Sequence, residues 1–179
     1  MLEITIKGSG ELFDSEANTF YSIPGQKIAL EHSLVSISKW ESKWHKPYLS
    51  NDKKTLEENL DYIRMMTLTK NVDPRLYYLL SEENSRAIAE YINDPMTATW
   101  FAKSEDRPSR RVITSELIYY WMISLNIPME CQKWHLNRLL TLIRVCNAEN
   151  NPKKMGKKAE ASQRAMLNRA RRKAHGSRG

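Results

Sequence analysis

Glycine is scarce in this chain, with 6 residues in 179, and this scarcity limits the chemistry that the sequence can support. Neither glycine-rich phosphate-binding pattern, GxGxxG or GxxxxGK[ST], occurs in it. The nucleophile-elbow pattern GxSxG and the zinc-protease pattern HExxH are absent as well. These absences argue against nucleotide-dependent enzymes and common hydrolases. The sequence therefore predicts a protein without enzymatic activity and without a cofactor.

The sequence also has no long apolar run and few cysteines. No run of about 18 apolar residues appears, so no membrane span is predicted. The first ten residues lack the apolar segment of a signal peptide. The 2 cysteines, Cys131 and Cys146, are predicted on one helix, about 22 Å apart and too far to bridge within the chain. Two free thiols fit a reducing cytoplasm.

The net charge of +7 is concentrated at the C-terminal end. Residues 151–179 contain ten Lys and Arg residues and one acid, Glu160, whereas residues 1–150 carry a small excess of acids. The basic stretch has almost no large apolar residue to bury, which is typical of segments that order only on a partner. We therefore predict one globular domain over residues 1–150 and a basic, mobile tail over residues 151–179, helical or disordered.

The first 30 residues predict a β-rich part. Residues 2–6 alternate between apolar and polar side chains, and residues 11–13 and 19–23 flank a polar loop, as in a β-hairpin. Pro24 and Gly25 predict a turn before one more strand at residues 26–30. A sheet this small is stable only when it packs on something else, and the helices that follow are the candidate.

Residues 33–147 predict a helical part of about six helices. Ser33 is expected to cap the first helix, and Thr55 with Glu58 predicts a capping box at the second. Asp73 and Ser81 are expected to start two more. The apolar face of the second helix is predicted at Leu56, Leu60, Ile63 and Met65 or Met66. The fold class is therefore α+β, a small N-terminal antiparallel sheet packed on a mainly α-helical bundle.

The most apolar stretch, residues 114–146, predicts an antiparallel helical hairpin at the centre of the core. Thr114 or Ser115 is expected to cap the first helix, and the segment before Pro128 is expected to end it. The apolar positions of its first helix are Leu117, Ile118, Trp121, Met122 and Leu125. Those of the second are Trp134, Leu136, Leu139, Leu140, Ile143 and Cys146.

Two small groups of residues could carry chemistry. Cys131 and His135 have the spacing of a metal-binding pair on a helix, but no ligand motif completes the set, so a buried thiol and a hydrogen-bonded histidine are favoured. Glu31 and His32 followed by Ser33 could indicate a catalytic site, but a helix start capped by Ser33 explains them better. No catalytic residue and no metal ligand is predicted.

Three features are candidates for partner binding. Trp40, Trp44 and Trp134 lie at helical spacing, which core packing explains, and the alternative is a groove for a partner helix. The second helix carries an acidic face, normally solvated but able to dock a basic segment, formed by Glu57, Glu58 and Asp61. The tail offers an apolar patch beside basic residues, at Met166, Leu167, Arg169, Arg171, Arg172 and Lys173. It suits a protein-docking segment, a nucleic-acid arm or a solubilising tail.

Several long segments together resemble one protein family. These segments are residues 30–49, 66–74, 94–101 and 114–147, together with the ending around Gln163 to Lys173. They resemble the tail assembly chaperones of tailed bacteriophages of the siphophage type. The resemblance covers most of the chain and is a match of whole segments rather than of a catalytic signature. It implies a non-enzymatic protein of the host cytoplasm that is absent from the mature virion.

The resemblance also implies partners. Such chaperones bind the long, helical tape-measure protein and promote polymerisation of the tail-tube protein around it. Partner binding is predicted through the tryptophans Trp40 and Trp44 and through the tail residues named above, and a homo-oligomer is compatible with this function. The alternative is a phage head-completion or DNA-packaging protein that binds nucleic acid through the basic tail.

Overall fold

The computed structural model describes residues 1–14, 18–99, 101 and 112–150. In this part of the chain, four short strands precede five α-helices and two 3-10 helices. The predicted fold class, α+β with a small antiparallel sheet at the N-terminus and a mainly helical bundle, is confirmed. No helix within these ranges is long and apolar enough to cross a bilayer.

The four strands form two antiparallel pairs along one long hairpin. The outer pair joins β1 (Leu2–Ile6) to β4 (Gln26–Leu30), and the inner pair joins β2 (Glu11–Asp14) to β3 (Thr19–Ser22). Gly8 and Gly25 lie where the chain passes between the two pairs, and a Cβ on Gly25 would come within 2.7 Å of the Gly8 nitrogen. Glycine at this crossing therefore lets the two backbones approach closely.

Helices α1 (Leu34–Trp44) and α2 (Leu56–Met66) begin as predicted and pack against each other. The Ser33 hydroxyl accepts from the Ser36 amide at the start of α1, and Thr55 forms a capping box with Glu58 at the start of α2. Each cap satisfies amide groups that no helical partner can reach. The apolar sides of α1 and of the β1–β4 pair form the centre of the core, with Ile6, Ile28, Leu30, Leu34 and Ile37 fully buried.

Two helical elements follow α2. Asp73 caps a 3-10 helix (Pro74–Leu79), called the first 3-10 helix below, and Ser81 caps α3 (Glu82–Asn93), both as predicted. The first 3-10 helix packs on α2, whereas α3 packs on β1. The Asn84 side chain donates to the Thr5 carbonyl oxygen at 3.2 Å, which ties the start of α3 to the sheet.

Helix α4 (Ser115–Ser124) is capped from outside, because Thr114 makes no side-chain cap. The buried carboxylate of Glu41, on α1, accepts from the Ser115 amide at 2.7 Å and from the Tyr48 amide at 2.8 Å. A carboxylate at a helix N-terminus is stabilised by the unpaired amides and by the helix dipole. This long-range cap holds α4 against α1.

The predicted helical hairpin over residues 114–146 is wrong. Pro128 is followed by a second 3-10 helix (Met129–Lys133), and α5 (Leu136–Asn150) begins only after His135. Both α4 and the second 3-10 helix pack on α1. The Leu136 amide donates to the His32 carbonyl oxygen at 2.7 Å, so α5 starts from the β4–α1 junction instead of folding back on α4.

Burial along residues 114–146 is narrower than predicted. On the two α-helices the buried apolar positions are Ile118 and Met122 of α4 and Leu136, Leu139 and Ile143 of α5, whereas Trp121 is only half-buried. Cys131 lies in the second 3-10 helix and Cys146 in α5, so the prediction that they share one helix is also wrong. Contacts between residues group the chain into two compact units, residues 1–144 and residues 145–179, and the boundary between them falls within α5. The predicted basic tail lies outside the described residues.

Candidate partner-binding groove

An apolar groove of about 360 Å³ opens between α2 and α3. The two helices supply its walls, and the first 3-10 helix with the loop before α2 supplies its floor. Among the described residues, no Lys, Arg, Asp, Glu or His lines it, and the lining consists of Tyr48, Leu56, Asn59, Leu60, Tyr62, Ile63, Tyr77, Tyr78, Leu80, Ser85, Ile88, Ala89 and Ile92. The absence of charge from this lining favours an apolar occupant over a charged ligand.

The two walls are held by separate supports. Helix α2 is anchored on α1 and on the first 3-10 helix, and α3 is anchored on β1. From α3 the Tyr91 hydroxyl donates to the Glu31 carboxylate at 2.6 Å, and the other Glu31 oxygen pairs with the N-terminal amine at 3.0 Å. These contacts fix each wall of the groove on a different part of the fold.

The rim of the groove exposes large apolar side chains. Leu56 is 73% exposed and Tyr78 is 62% exposed, whereas Leu60 and Ile88 are buried deeper in the walls. Leu56 lies on the same face of α2 as Leu60 and Ile63, as predicted, and its position in the first turn of the helix places it at the groove mouth. A contiguous apolar surface of this kind is typical of a site that a partner covers.

A buried polar cluster lies under the groove. Tyr62 stacks on Tyr48, with ring centroids 3.9 Å apart, and its hydroxyl lies 2.5 Å from His32 Nδ1. The His32 and His135 rings meet edge to face at 5.1 Å, and His135 Nε2 donates to the Tyr91 carbonyl oxygen at 2.9 Å. Burial lowers the pKa of His32 to about 3, and His135 adds to this lowering. The cluster therefore joins α2 to α3 through the side chains of His32 and His135.

The groups considered for chemistry make structural contacts. Ser33 caps α1, as favoured, and His32 and His135 are buried in the cluster just described. Both His135 ring nitrogens are occupied, since Nδ1 accepts from the Asn137 amide at 3.3 Å. Cys131 and His135 do not share a helix face, because α5 begins after His135. Among the residues that the structure describes, no three His, Cys, Asp or Glu side chains are grouped to hold a metal ion.

The tryptophans do not form a common groove. Trp40 is 1% exposed, and its Nε1 donates to the Glu58 carbonyl oxygen at 2.8 Å. The prediction that Trp40 contacts a partner is therefore wrong, because the surrounding core covers its side chain. Trp44 is partly exposed, with its ring centroid 6.3 Å from that of Trp40, and remains a prediction. Trp134 stacks instead with Arg138, 4.2 Å from its ring centroid.

The predicted acidic face of α2 is neutralised within the chain. Glu58 pairs with Lys46 at 2.6 Å, and Asp61 pairs with Lys43 and with Arg64, the latter at 2.8 Å. The hydrogen bond from Lys46, with that from the Thr55 amide, lowers the pKa of Glu58. Both carboxylates are buried, so the expectation of a solvated acidic face is wrong for them.

The predicted tail residues cannot be placed against this groove. Met166, Leu167, Arg169, Arg171, Arg172 and Lys173 lie outside the described residues. The sequence-based interpretation missed the groove itself. One usable signal was the abundance of tyrosine, since four of the 8 tyrosines line it and tyrosine is enriched at protein interfaces.

Comparison with known proteins leaves the geometry as the main guide to function. Searches of protein-family models, of curated proteins and of solved structures found no match to the chain.

Proposed function

We propose that the chain is a non-enzymatic assembly chaperone of tailed phages that holds a helical segment of the tape-measure protein in the α2–α3 groove. By covering that segment in the host cytoplasm, it promotes ordered polymerisation of the tail-tube protein and leaves before the virion is complete. The observation that carries this proposal is the uncharged, apolar groove with exposed Leu56 and Tyr78 at its rim. The resemblance of the sequence to phage tail assembly chaperones supplies the identity of the partner.

The dimensions of the groove suit one amphipathic helix. Helix α2 has 11 residues and α3 has 12, so the walls run for roughly 16–18 Å at the rise of an α-helix. An occupant helix of about three turns would therefore span the groove. It would place apolar side chains at positions i, i+3 or i+4 and i+7 against the lining, as in other helix-in-groove complexes. A long helical partner offers many such segments.

The test is co-expression of the full chain with the tape-measure protein, followed by affinity capture. Leu56→Asp places a charge at the apolar groove mouth, so we expect at least about a tenfold loss of capture. Ile123→Asp is the matched control, because Ile123 is 67% exposed on α4, away from the groove lining. Capture that survives Leu56→Asp but fails with Ile123→Asp would place the partner elsewhere.

The alternative function, nucleic-acid binding for head completion or DNA packaging, depends on the +9 charge of residues 151–179. Phosphate binding through counterion release depends on charge and falls steeply with salt, whereas protein docking depends on the order of the residues. We expect that scrambling residues 157–173 at constant composition lowers tape-measure capture and leaves weak DNA binding unchanged. Tight, salt-sensitive DNA binding together with unchanged capture after scrambling would favour the nucleic-acid function.

A further inference from the structure

The β2–β3 pair carries two exposed aromatic side chains on one face. Phe13 and Phe20 are direct cross-strand partners, with ring centroids 5.1 Å apart. Phe13 is 53% exposed and Phe20 is 70% exposed. At the next position of β3, Tyr21 is half-buried, and the Arg75 guanidinium lies 4.6 Å from its ring centroid. Since successive side chains of a strand alternate between faces, the phenylalanines lie on the face opposite to this contact.

The two edges of this pair differ in charge. Strand β2 contains Glu11 and Asp14, whereas β3, with the sequence Thr19-Phe20-Tyr21-Ser22, contains no charged residue. In the part of the chain that the structure describes, β3 pairs only with β2, so its other edge is open. An uncharged, aromatic edge strand is a template for pairing with another strand, and charges on an edge prevent such pairing.

We propose that β3 is a self-association edge, where two copies of the chain pair antiparallel around a two-fold axis to form a four-stranded sheet. A second copy is the occupant that suits this edge, because an uncharged strand meets its own copy without repulsion. The acidic β2 edge would place like charges against each other in the same arrangement. This surface is separate from the α2–α3 groove and does not depend on the function proposed for it.

The pattern of side chains selects one register. A two-fold axis normal to the sheet keeps each face of the sheet on the same side in both copies. Phe20 opposite the partner's Phe20 then gives an aromatic row across four strands, from Phe13 through both Phe20 rings to the partner's Phe13. Centring the axis on Tyr21 instead would place the partner's Tyr21 against a ring that Arg75 already covers.

The interface is small, so we expect a weak and reversible dimer. Strand β3 has four residues, and stable protein–protein interfaces bury on the order of 1,200 Å² or more. Sedimentation of the full chain over a wide concentration range should show monomers converting to dimers. Phe20→Lys should raise the dissociation constant at least about tenfold without changing the thermal melt, because Phe20 is exposed.

Leu56→Asp serves as the control, because its groove lies outside the proposed interface and dimerisation should persist in that variant. A chain that stays monomeric at every concentration would overturn the proposal. Dimers that Phe20→Lys leaves intact would overturn it equally.

Disulfide trapping tests the register. In a chain whose partly exposed Cys146 is replaced by serine, Phe20→Cys should form a disulfide-linked dimer on mild oxidation, since the two new thiols face each other. Ser22→Cys is the matched control, because it lies on the same strand and the same face. The proposed register separates the two Ser22 positions by about 13 Å along the strands, beyond disulfide reach. Equal cross-linking of both variants would overturn the register.

Discussion

Replacing Trp40 with alanine is expected to lower the free energy of unfolding by about 3–5 kcal/mol, the usual cost of deleting a buried tryptophan side chain. Trp40 is among the largest fully buried side chains, and its ring packs against those of Trp44 and Tyr48. The truncation would also remove the hydrogen bond from Trp40 Nε1 to the Glu58 carbonyl oxygen, and the loss of a buried hydrogen bond adds to the cost. Domains of this kind have total stabilities of about 5–15 kcal/mol, so the loss is a large share.

Chemical denaturation of the full chain measures this effect, with two comparisons. Trp121→Ala should cost clearly less, because Trp121 is only half-buried on α4. Trp40→Phe keeps most of the ring volume but loses the hydrogen bond to Glu58, so it should fall between wild type and Trp40→Ala. If Trp40→Ala and Trp121→Ala destabilised the chain equally, the burial assigned to these two rings would be wrong.

The parts of the fold that the sequence predicted well depend on interactions between near neighbours. The caps at Ser33, Thr55, Asp73 and Ser81 each bond to an amide two or three residues later, so a short window contains both partners. The strands were predicted equally well, because the alternation of apolar and polar side chains and the residues that form turns are local features of the sequence. Because β1 pairs with β4 and β2 pairs with β3, the four strands in sequence order form one long hairpin.

The parts that the sequence missed depend on distant partners. Nothing near Ser115 indicates that Glu41, 74 residues earlier, caps α4. Apolar residues recur through residues 128–146 at spacings that fit a single α-helix. The second 3-10 helix was therefore not predicted, because an α-helix and a short 3-10 helix have similar spacing over one turn. Two long-range hydrogen bonds fix the start of α5: His135 donates to the Tyr91 carbonyl oxygen of α3, and the Leu136 amide donates to the His32 carbonyl oxygen. Neither partner lies near His135 in the sequence.

The groove was missed for a related reason. Periodicity shows that Leu56, Leu60 and Ile63 share a helix face, but it does not show whether another element covers that face. Here α2 turns part of this face to α1 and the first 3-10 helix, and leaves the rest open towards α3. The same limit applied to the tryptophans, since Trp40 and Trp44 lie one turn apart with different exposure.

Acid is expected to weaken the fold through the histidine cluster before most carboxylates titrate. The described groups in contact with the His32 ring are Tyr62 from α2 and His135 before α5, and Tyr91 of α3, with its partner Glu31, lies on the far side of His135. None of these places a carboxylate directly on the His32 ring to stabilise its charged form. Burial therefore lowers the pKa of His32 from 6.5 in the unfolded chain to about 3 in the folded one.

The sign of the effect follows from proton binding. Between pH 6.5 and about 3 the unfolded chain binds a proton at His32 and the folded chain does not, so stability falls as the pH falls through this window. At about pH 4 the loss from this one group is on the order of 3 kcal/mol. The buried carboxylates Glu58 and Asp61, whose pKa values are lowered by their Lys and Arg partners, add a further loss at lower pH.

The variant His32→Gln separates these contributions, because glutamine can accept the hydrogen bond from Tyr62 but does not titrate. Denaturant unfolding at several pH values should show it less stable than wild type near pH 8, where the packing of the imidazole is lost. The two curves should converge as the pH falls towards 4, since only wild type loses the His32 contribution. His45→Asn is the control: His45 is exposed, and asparagine tolerates its positive φ of 50°. That variant should follow wild type throughout. A His32→Gln curve parallel to wild type over the whole range would show that His32 does not resist protonation in the folded chain.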